Sequence, residues 1–378
     1  MRRFSEVTFP PRLKFVDDRQ LGNTLRDAGL VATIRKALWN IHDHIVALAP
    51  AASRAGYFIV GSILLMAASV NAQPLREITF GLPSTSIATG SGRVAQEMGL
   101  FAKRGLNAKF VVIERASVAT SALISGSVMF TMSGPGELIA AQANGQKVIT
   151  IATVYGGLAA TLVISKPVAD KLGASLATGP VNARLKALDG MVIAGASATS
   201  AATVAFDAAA RAVGAKLRFT YMNQPSMPAA LDSGAIQGYV ASAPFWSVPV
   251  VKGTGVVWVS GSQGEVPAEF SPVTASIVQT MRATADVEPE LMTRVAAVFA
   301  DFAKAVDERP AEVKAVTTKL FPEADAATID LFFKIEAASW KAKPLTAKEM
   351  AREIEFMKLT GASMPGLDKL DPATMVFP

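Results

Sequence analysis

The sequence predicts an α/β protein built as two similar lobes, and three observations lead there. The chain has 378 residues, 51% hydrophobic and 18% charged, enough apolar material for two domain-sized cores. From Leu75 onward, short apolar runs of strand length alternate with helical stretches. After Gly179-Pro180 the same strand, loop, helix order starts again.

Taken in order, residues 78–82 (ITFGL) read as a first strand and 83–86 (PSTS) as a loop. A helix is expected over 92–101, stopped by Lys103-Arg104-Gly105, with cations at the negative end of the helix dipole and glycine as terminator. Residues 108–113 form a second strand, 117–125 a helix with Ala119, Leu123 and Ile124 on one face, and 128–132 a third strand. A helix over 137–143 closes at Asn144-Gly145, a fourth strand covers 148–154, and 162–165 ends the first lobe. The second lobe repeats the order. Residues 191–194 are a strand, an alanine-rich helix runs to about Val213, and strands follow at 217–221, 236–240 and 256–259. Between them Met227 begins a short helix, with Pro228 in the first turn where a missing N–H does no harm. The apolar run 273–278 is expected to return the chain to the first lobe, and 289–360 to be helical, divided at Pro310, Pro322 and Pro344. The expected division is therefore 75–165 plus 270–378 for the first lobe and 166–269 for the second, with largely parallel sheets.

The first 72 residues stand apart. Arg54 precedes an apolar run, about 57–66, and small residues ending Val70-Asn71-Ala72. That is the layout of a secretory signal peptide with cleavage near Ala72, and the 57–70 stretch is shorter than the roughly 20 residues needed to cross a bilayer. Residues 1–53 are a long preamble with no sustained apolar face. A periplasmic destination is the expectation.

Composition excludes several chemistries. Nine of the 37 Lys/Arg and five of the 31 Asp/Glu fall within residues 1–72, so the formal charge of +6 shrinks to +2 in the body. No basic run interleaved with aromatics appears there, and nucleic acid is not an expected partner. Cysteine is absent, and the two histidines, His42 and His44, lie in the leader. The body thus lacks thiolate nucleophiles, histidine bases and the ligands of common zinc sites, leaving carboxylate or lysine chemistry. No cofactor and no metal are expected.

Several segments carry a family resemblance. The stretch 99–108 (GLFAKRGLNA) resembles the "GLF-KK-GLDV" segment of substrate-binding proteins of the nitrate/sulfonate/taurine class of ABC transporters. In the same order follow ALISG at 122–126, GQKV at 145–148, LKALDG at 185–190, ALDSG at 230–234 and APF at 243–245, so the resemblance spans about 76–280. Where the family has Asp after each L-x-x-G turn, this chain has Met129 and Gln237. The resemblance implies a type II periplasmic binding fold with a central ligand cleft, no enzymatic activity, a monomer, and an ABC permease of the inner membrane as partner. Thiamine-pyrimidine synthases, which resemble these receptors, depend on His and Cys that this body lacks. A pyrimidine-synthase-like or carboxylate-dependent enzyme and a non-transporting sensory module are the alternatives.

In open α/β folds ligands collect where parallel strands end and the following helices begin. Three such junctions are rich in hydroxyls and glycine, with Thr85 and Ser86 in the first, Ser133 and Gly134 in the second, and Ser197, Thr199 and Ser200 in the third. Free N–H groups at helix starts suit a carboxylate or sulfonate, although Ser and Thr there also serve as simple caps. Tyr155 before Gly156-Gly157 offers a ring and a hydroxyl or else a core position, and Asn223 offers donors or an ordinary turn. Phe245 and Trp246 are expected either to wall an organic ligand or to pack beneath the following loop. The expected ligand is a small polar or anionic organic molecule.

Overall fold

The computed structural model describes residues 74–378 except 114, 199, 323, 342 and 360–363. The expected leader and its cleavage site lie outside the described residues, as does Thr199. Residues Gln73–Pro378 form one compact unit.

Its first sheet is entered by β1 (Arg76–Leu82), α1 (Ser91–Glu97), α2 (Leu100–Lys103), β2 (Leu106–Val112), α3 (Ala116–Ile124), β3 (Phe130–Ser133), α4 (Pro135–Ala143) and β4 (Val148–Gly156). The second takes β5 (Thr161–Ser165), α5 (Lys166–Leu172), α6 (Ala174–Ala177), α7 (Val181–Lys186), β6 (Val192–Gly195), α8 (Ala201–Ala212), β7 (Arg218–Tyr221), α9 (Met227–Asp232), β8 (Gly238–Ala241), α10 (Ser247–Lys252) and β9 (Gly255–Ser260). The chain then returns through β10 (Thr274–Met281), α11 (Arg282–Val287), α12 (Pro289–Glu308), α13 (Pro310–Leu320), α14 (Ala326–Ile335) and α15 (Ala347–Lys358).

The two sheets have matching orders, β2-β1-β3-β10-β4 and β7-β6-β8-β5-β9. In each, the fourth strand is the one that arrives from the other lobe, and it pairs antiparallel with both neighbours. The sheets are therefore mixed rather than largely parallel, because a strand crossing between lobes enters against the direction of the strand-helix units. For the same reason residues 161–165, expected to end the first lobe, belong to the second sheet. The run at 273–278 does return to the first sheet, between β3 and β4.

The helix expected over 92–101 is divided. Gly99 adopts φ 72°, a left-handed conformation that interrupts α1 and α2 and that glycine tolerates at little cost. One face of the first sheet is packed by rings: Phe80 stacks on Phe110 and Phe130 and meets Phe101 and Phe299 edge-on. These aromatics bury large apolar areas and fix α1, α2 and α12 against the sheet.

The two crossings between lobes, residues 157–160 and 261–273, are hydrogen-bonded to each other. Gly157 N donates to Val273 O at 2.8 Å, and Gly261 N donates to Ala160 O at 2.9 Å. A Cβ on Gly261 would stand 2.6 Å from the Leu158 side chain and 2.7 Å from Ala160 O, so only glycine fits. Gly261→Ala is expected to cost about 1–3 kcal/mol through overpacking, measured as a lowered thermal midpoint. An unchanged midpoint would show that the crossings are not packed this tightly.

Helix α15 fastens the crossings from behind. It opens with a capping box between Thr346 and Glu349, and its apolar stripe Met350, Ile354, Met357 packs in the first lobe. Phe356 of the same helix joins the core of the second lobe, and Leu359 O accepts from Arg211 Nη2 at 3.0 Å.

Candidate functional site

The loops that end the strands of both lobes meet. Ile87 N, in the loop after β1, donates to Ala243 O, in the loop after β8, at 2.8 Å. The junction after β1 therefore touches the loop that follows β8 of the second lobe.

The junctions singled out in the sequence differ in what their side chains are free to do. Thr85 is exposed. Ser86 is buried, and its hydroxyl is engaged with Ser84 Oγ at 3.0 Å and Thr89 Oγ1 at 3.1 Å, which stabilises the turn itself. Ser200 caps α8, accepting from Thr203 N, and Ser197 beside it is half-buried. Asn223 is exposed, while its neighbour Gln224 turns inward and accepts from both Ser242 N and Ser242 Oγ at 2.9 Å.

Ser133 is different. It ends β3, is 1% exposed, and its Oγ has no hydrogen-bond partner among the described residues. Gly134 caps α4 in an extended conformation, and its carbonyl accepts from Gln279 Nε2 at 2.8 Å. Buried hydroxyls are normally paired, so an unpaired one at a helix start is a candidate ligand contact.

The expected aromatic wall is corrected by the structure. Trp246 is fully buried, and its Nε1 donates to Glu336 Oε1 at 2.6 Å; Phe245 is half-buried against the same core. Tyr155 is also fully buried, donating through its hydroxyl to Glu336 Oε2 at 2.9 Å. Both rings sit in the core because one buried carboxylate satisfies their polar atoms. Burial pushes Glu336 up to about 7, against the hydrogen bonds from Tyr155, Trp246 and the Ala243 amide. Glu336 thereby ties β4 of the first lobe to the loop after β8 of the second.

Two further carboxylates were not singled out in the sequence. Glu353 of α15 accepts from Thr274 N at 2.8 Å at the start of β10, while its Oε2 is buried without a partner among the described residues. Burial pushes it up to about 7, opposed by the Thr274 and Val273 amides. Its sequence signal was its place on the apolar stripe of α15, at 350, 353, 354, 357 spacing. Glu137, in the first turn of α4, is also pushed up to about 7 by burial, opposed by its own backbone N–H. No sequence pattern marks Glu137 or Glu336 as buried.

Among the described residues, no helix is long and apolar enough to cross a membrane, and no group of three His, Cys, Asp or Glu is placed to hold a metal ion.

No curated protein matches the chain by sequence. Solved structures match it broadly. The periplasmic aliphatic sulphonate binding protein SsuA of Escherichia coli is 16% identical, covering 79% of this chain and 98% of its own, with a TM-score of 0.60. The alkanesulfonate-binding protein SsuA of Xanthomonas axonopodis pv. citri, bound to MOPS, is 15% identical over 80% of this chain and 98% of its own, with a TM-score of 0.63. The ligand binding component of an ABC-type import system of Staphylococcus aureus, solved with zinc, is 14% identical over 80% of this chain and 97% of its own, with a TM-score of 0.61. These likenesses establish the fold as the two-lobed periplasmic binding type. The sequence profile of the NMT1-like family matches residues 71–328, more than half of the chain, and the protein is a member of that family.

Proposed function

We propose that this chain is the solute-binding component of an ABC importer, capturing a small polar or anionic organic molecule between its lobes. The observation that carries the reading is the meeting of the two rims at Ile87 and Ala243, with the lobes joined by the crossings at 157–160 and 261–273 about which they can hinge. The fold it shares with sulfonate-binding and import-system proteins supports the same reading. In this reading the leader exports the protein to the periplasm, where it works as a monomer, performs no catalysis and delivers its ligand to an inner-membrane permease.

Of the residues singled out, Ser133 and Gly134 are the strongest contacts, followed by Ser197, Thr199, Ser200, Thr85, Asn223 and Phe245. Ser86, Tyr155 and Trp246 support the site from behind, since their polar atoms are already engaged. A ligand that touches both lobes stabilises the closed form in proportion to its differential affinity.

A thermal-shift panel of sulfonates, carboxylates, nitrate and pyrimidine precursors tests this. A cognate ligand at one hundred times its Kd adds about 2.7 kcal/mol, or roughly 5–10 °C for a domain of this size. Ser133→Ala is expected to keep the unliganded midpoint and to weaken binding about tenfold. No shift with any compound, together with an unchanged scattering profile, counts against the reading.

A further inference from the structure

Helix α15 is held by the first lobe before and after it, yet its last turn lies on the second. Its start is fixed by the capping box between Thr346 and Glu349, and Met350, Ile354 and Met357 join a cluster with Leu138 and Ile139 of α4. Beyond it the chain comes back to the first sheet, where Phe377 N donates to Thr150 O of β4 at 2.9 Å and Arg282 Nη2 donates to Thr374 O at 2.8 Å. Between these anchorages Phe356, 5% exposed, joins the apolar cluster of the second lobe, which includes Phe206 and Ala209 of α8. Leu359 packs against the same cluster, and its carbonyl accepts from Arg211 Nη2 at 3.0 Å. Helix α15 is thus an arm of the first lobe laid on the second, and not a third crossing of the chain.

The arm grips the second lobe far from the crossings. Those join the sheets at the strand ends, Thr274 pairing with Gly156 at the end of β4 and Thr161 with Ala241 at the end of β8. Ser200 caps α8 at that level, directly after β6, whereas Arg211 stands in its last turn, roughly 16 Å further along at 1.5 Å per residue. A rotation of about 10° about the crossings would carry Arg211 by about 3 Å, the full length of the hydrogen bond it makes. Close-packed side chains do not stretch over such a shift, so a helix seated in one lobe either holds the other still or releases it. Glu353, in the middle of α15, adds a grip on the hinge itself. It is buried and accepts from Thr274 N at 2.8 Å, where the second crossing enters β10.

We propose that α15 is a clasp on the hinge: carried by the first lobe, it holds the second through Phe356 and the Leu359 carbonyl, and the lobes part only when it lets go. This rests on the reading of the lobes as hinged and is independent of the ligand they take. The arrangement with Ile87 against Ala243 is then the resting one, kept closed from outside the cleft. Opening must undo one apolar contact and one hydrogen bond at the tip of α15.

Interlobe distances measured in the full chain test this. The sequence has no cysteine, so spin labels can be placed at Ser125→Cys and Ser233→Cys, exposed positions at the ends of α3 and α9 in different lobes. Without added ligand, pulsed dipolar spectroscopy should give one dominant distance in the otherwise unaltered chain. A second, longer distance should gain population about tenfold in Phe356→Leu and about threefold in Arg211→Ala. Arg211 is half-exposed, so its variant keeps the fold and decides the matter alone if Phe356→Leu does not fold. A merely structural helix would lower the thermal midpoint and leave the distances unchanged. Identical single distances in all three chains overturn the clasp and count against hinged lobes as well. Two well-populated distances in the unaltered chain overturn the clasp alone, because the lobes then part with α15 in place.

Discussion

Replacing Glu336 with alanine is expected to destabilise the protein by about 3–5 kcal/mol, the sum of two buried donors left without an acceptor and the cavity that remains. The loss has a definite origin. Tyr155 OH and Trp246 Nε1 both donate to this carboxylate, and both rings are 0% exposed, so neither can turn to water. Each buried donor left without an acceptor costs about 1–3 kcal/mol, and the cavity left by the side chain adds to it. The thermal midpoint should fall by roughly 10 °C, given about 2–4 °C per kcal/mol for a domain of this size. Glu336→Gln retains one acceptor oxygen and should lose less. Trp246→Phe in the Glu336→Ala background should cost much less than in the wild type, since the indole N–H has by then no acceptor to lose. A Glu336→Ala variant within 1 kcal/mol of the wild type would show that the carboxylate does not hold the two lobes together.

Stability should also fall as the pH rises from about 5 to 8, opposite to the usual behaviour of carboxylates in ion pairs. Glu137, Glu336 and Glu353 are each raised from 4.5 to about 7. Between those values the folded chain binds protons that the unfolded chain has released. Each group therefore contributes fully below pH 4.5, loses its contribution as the pH climbs to 7, and changes little above it. The slope approaches at most about 1.4 kcal/mol per pH unit for each group. Two groups act in the other direction at lower pH. Burial raises Glu265, but hydrogen bonds from Arg184 and the Ser260 amide leave it lowered, and the Thr328 amide lowers Asp325. Their contributions are present above about 4.5 and 3.8 and are lost as the pH falls further, which places the optimum near pH 5. Thermal midpoints measured across this range should drop by about 5 °C or more between pH 5 and pH 8. Glu336→Gln and Glu353→Gln should each flatten the profile. A midpoint that rises toward pH 8 would contradict the assignment of these groups as carboxyls whose burial outweighs their hydrogen bonds.

Much of the fold was legible because it depends on local physics. Apolar runs of four to nine residues between glycine-rich turns can be read as strands, and Pro310 does separate α12 from α13. The repeat of that order in two halves foretold two sheets, and they do have matching strand orders. Strand direction was not legible in the same way. Residues 161–165 and 274–281 look like any other apolar run, and nothing local says that each crosses to the opposite sheet and runs antiparallel.

The site divides along the same line. The sequence placed hydroxyls and glycines at strand ends, and the rims at Ile87 and Ala243 do meet. It left open whether Tyr155 and Trp246 faced a ligand or the core. That was settled by Glu336, which lies 181 residues from Tyr155 and 90 from Trp246 along the chain. By itself, then, the sequence determined the elements, their repetition and the absence of cysteine and histidine chemistry from the body. Only the tertiary structure decided which polar groups are spent on the fold and which, like Ser133 Oγ and Glu353 Oε2, are left over. The reason is that burial, and not residue type, determines whether a hydroxyl or carboxylate has a partner, and burial here is created by segments distant in the chain.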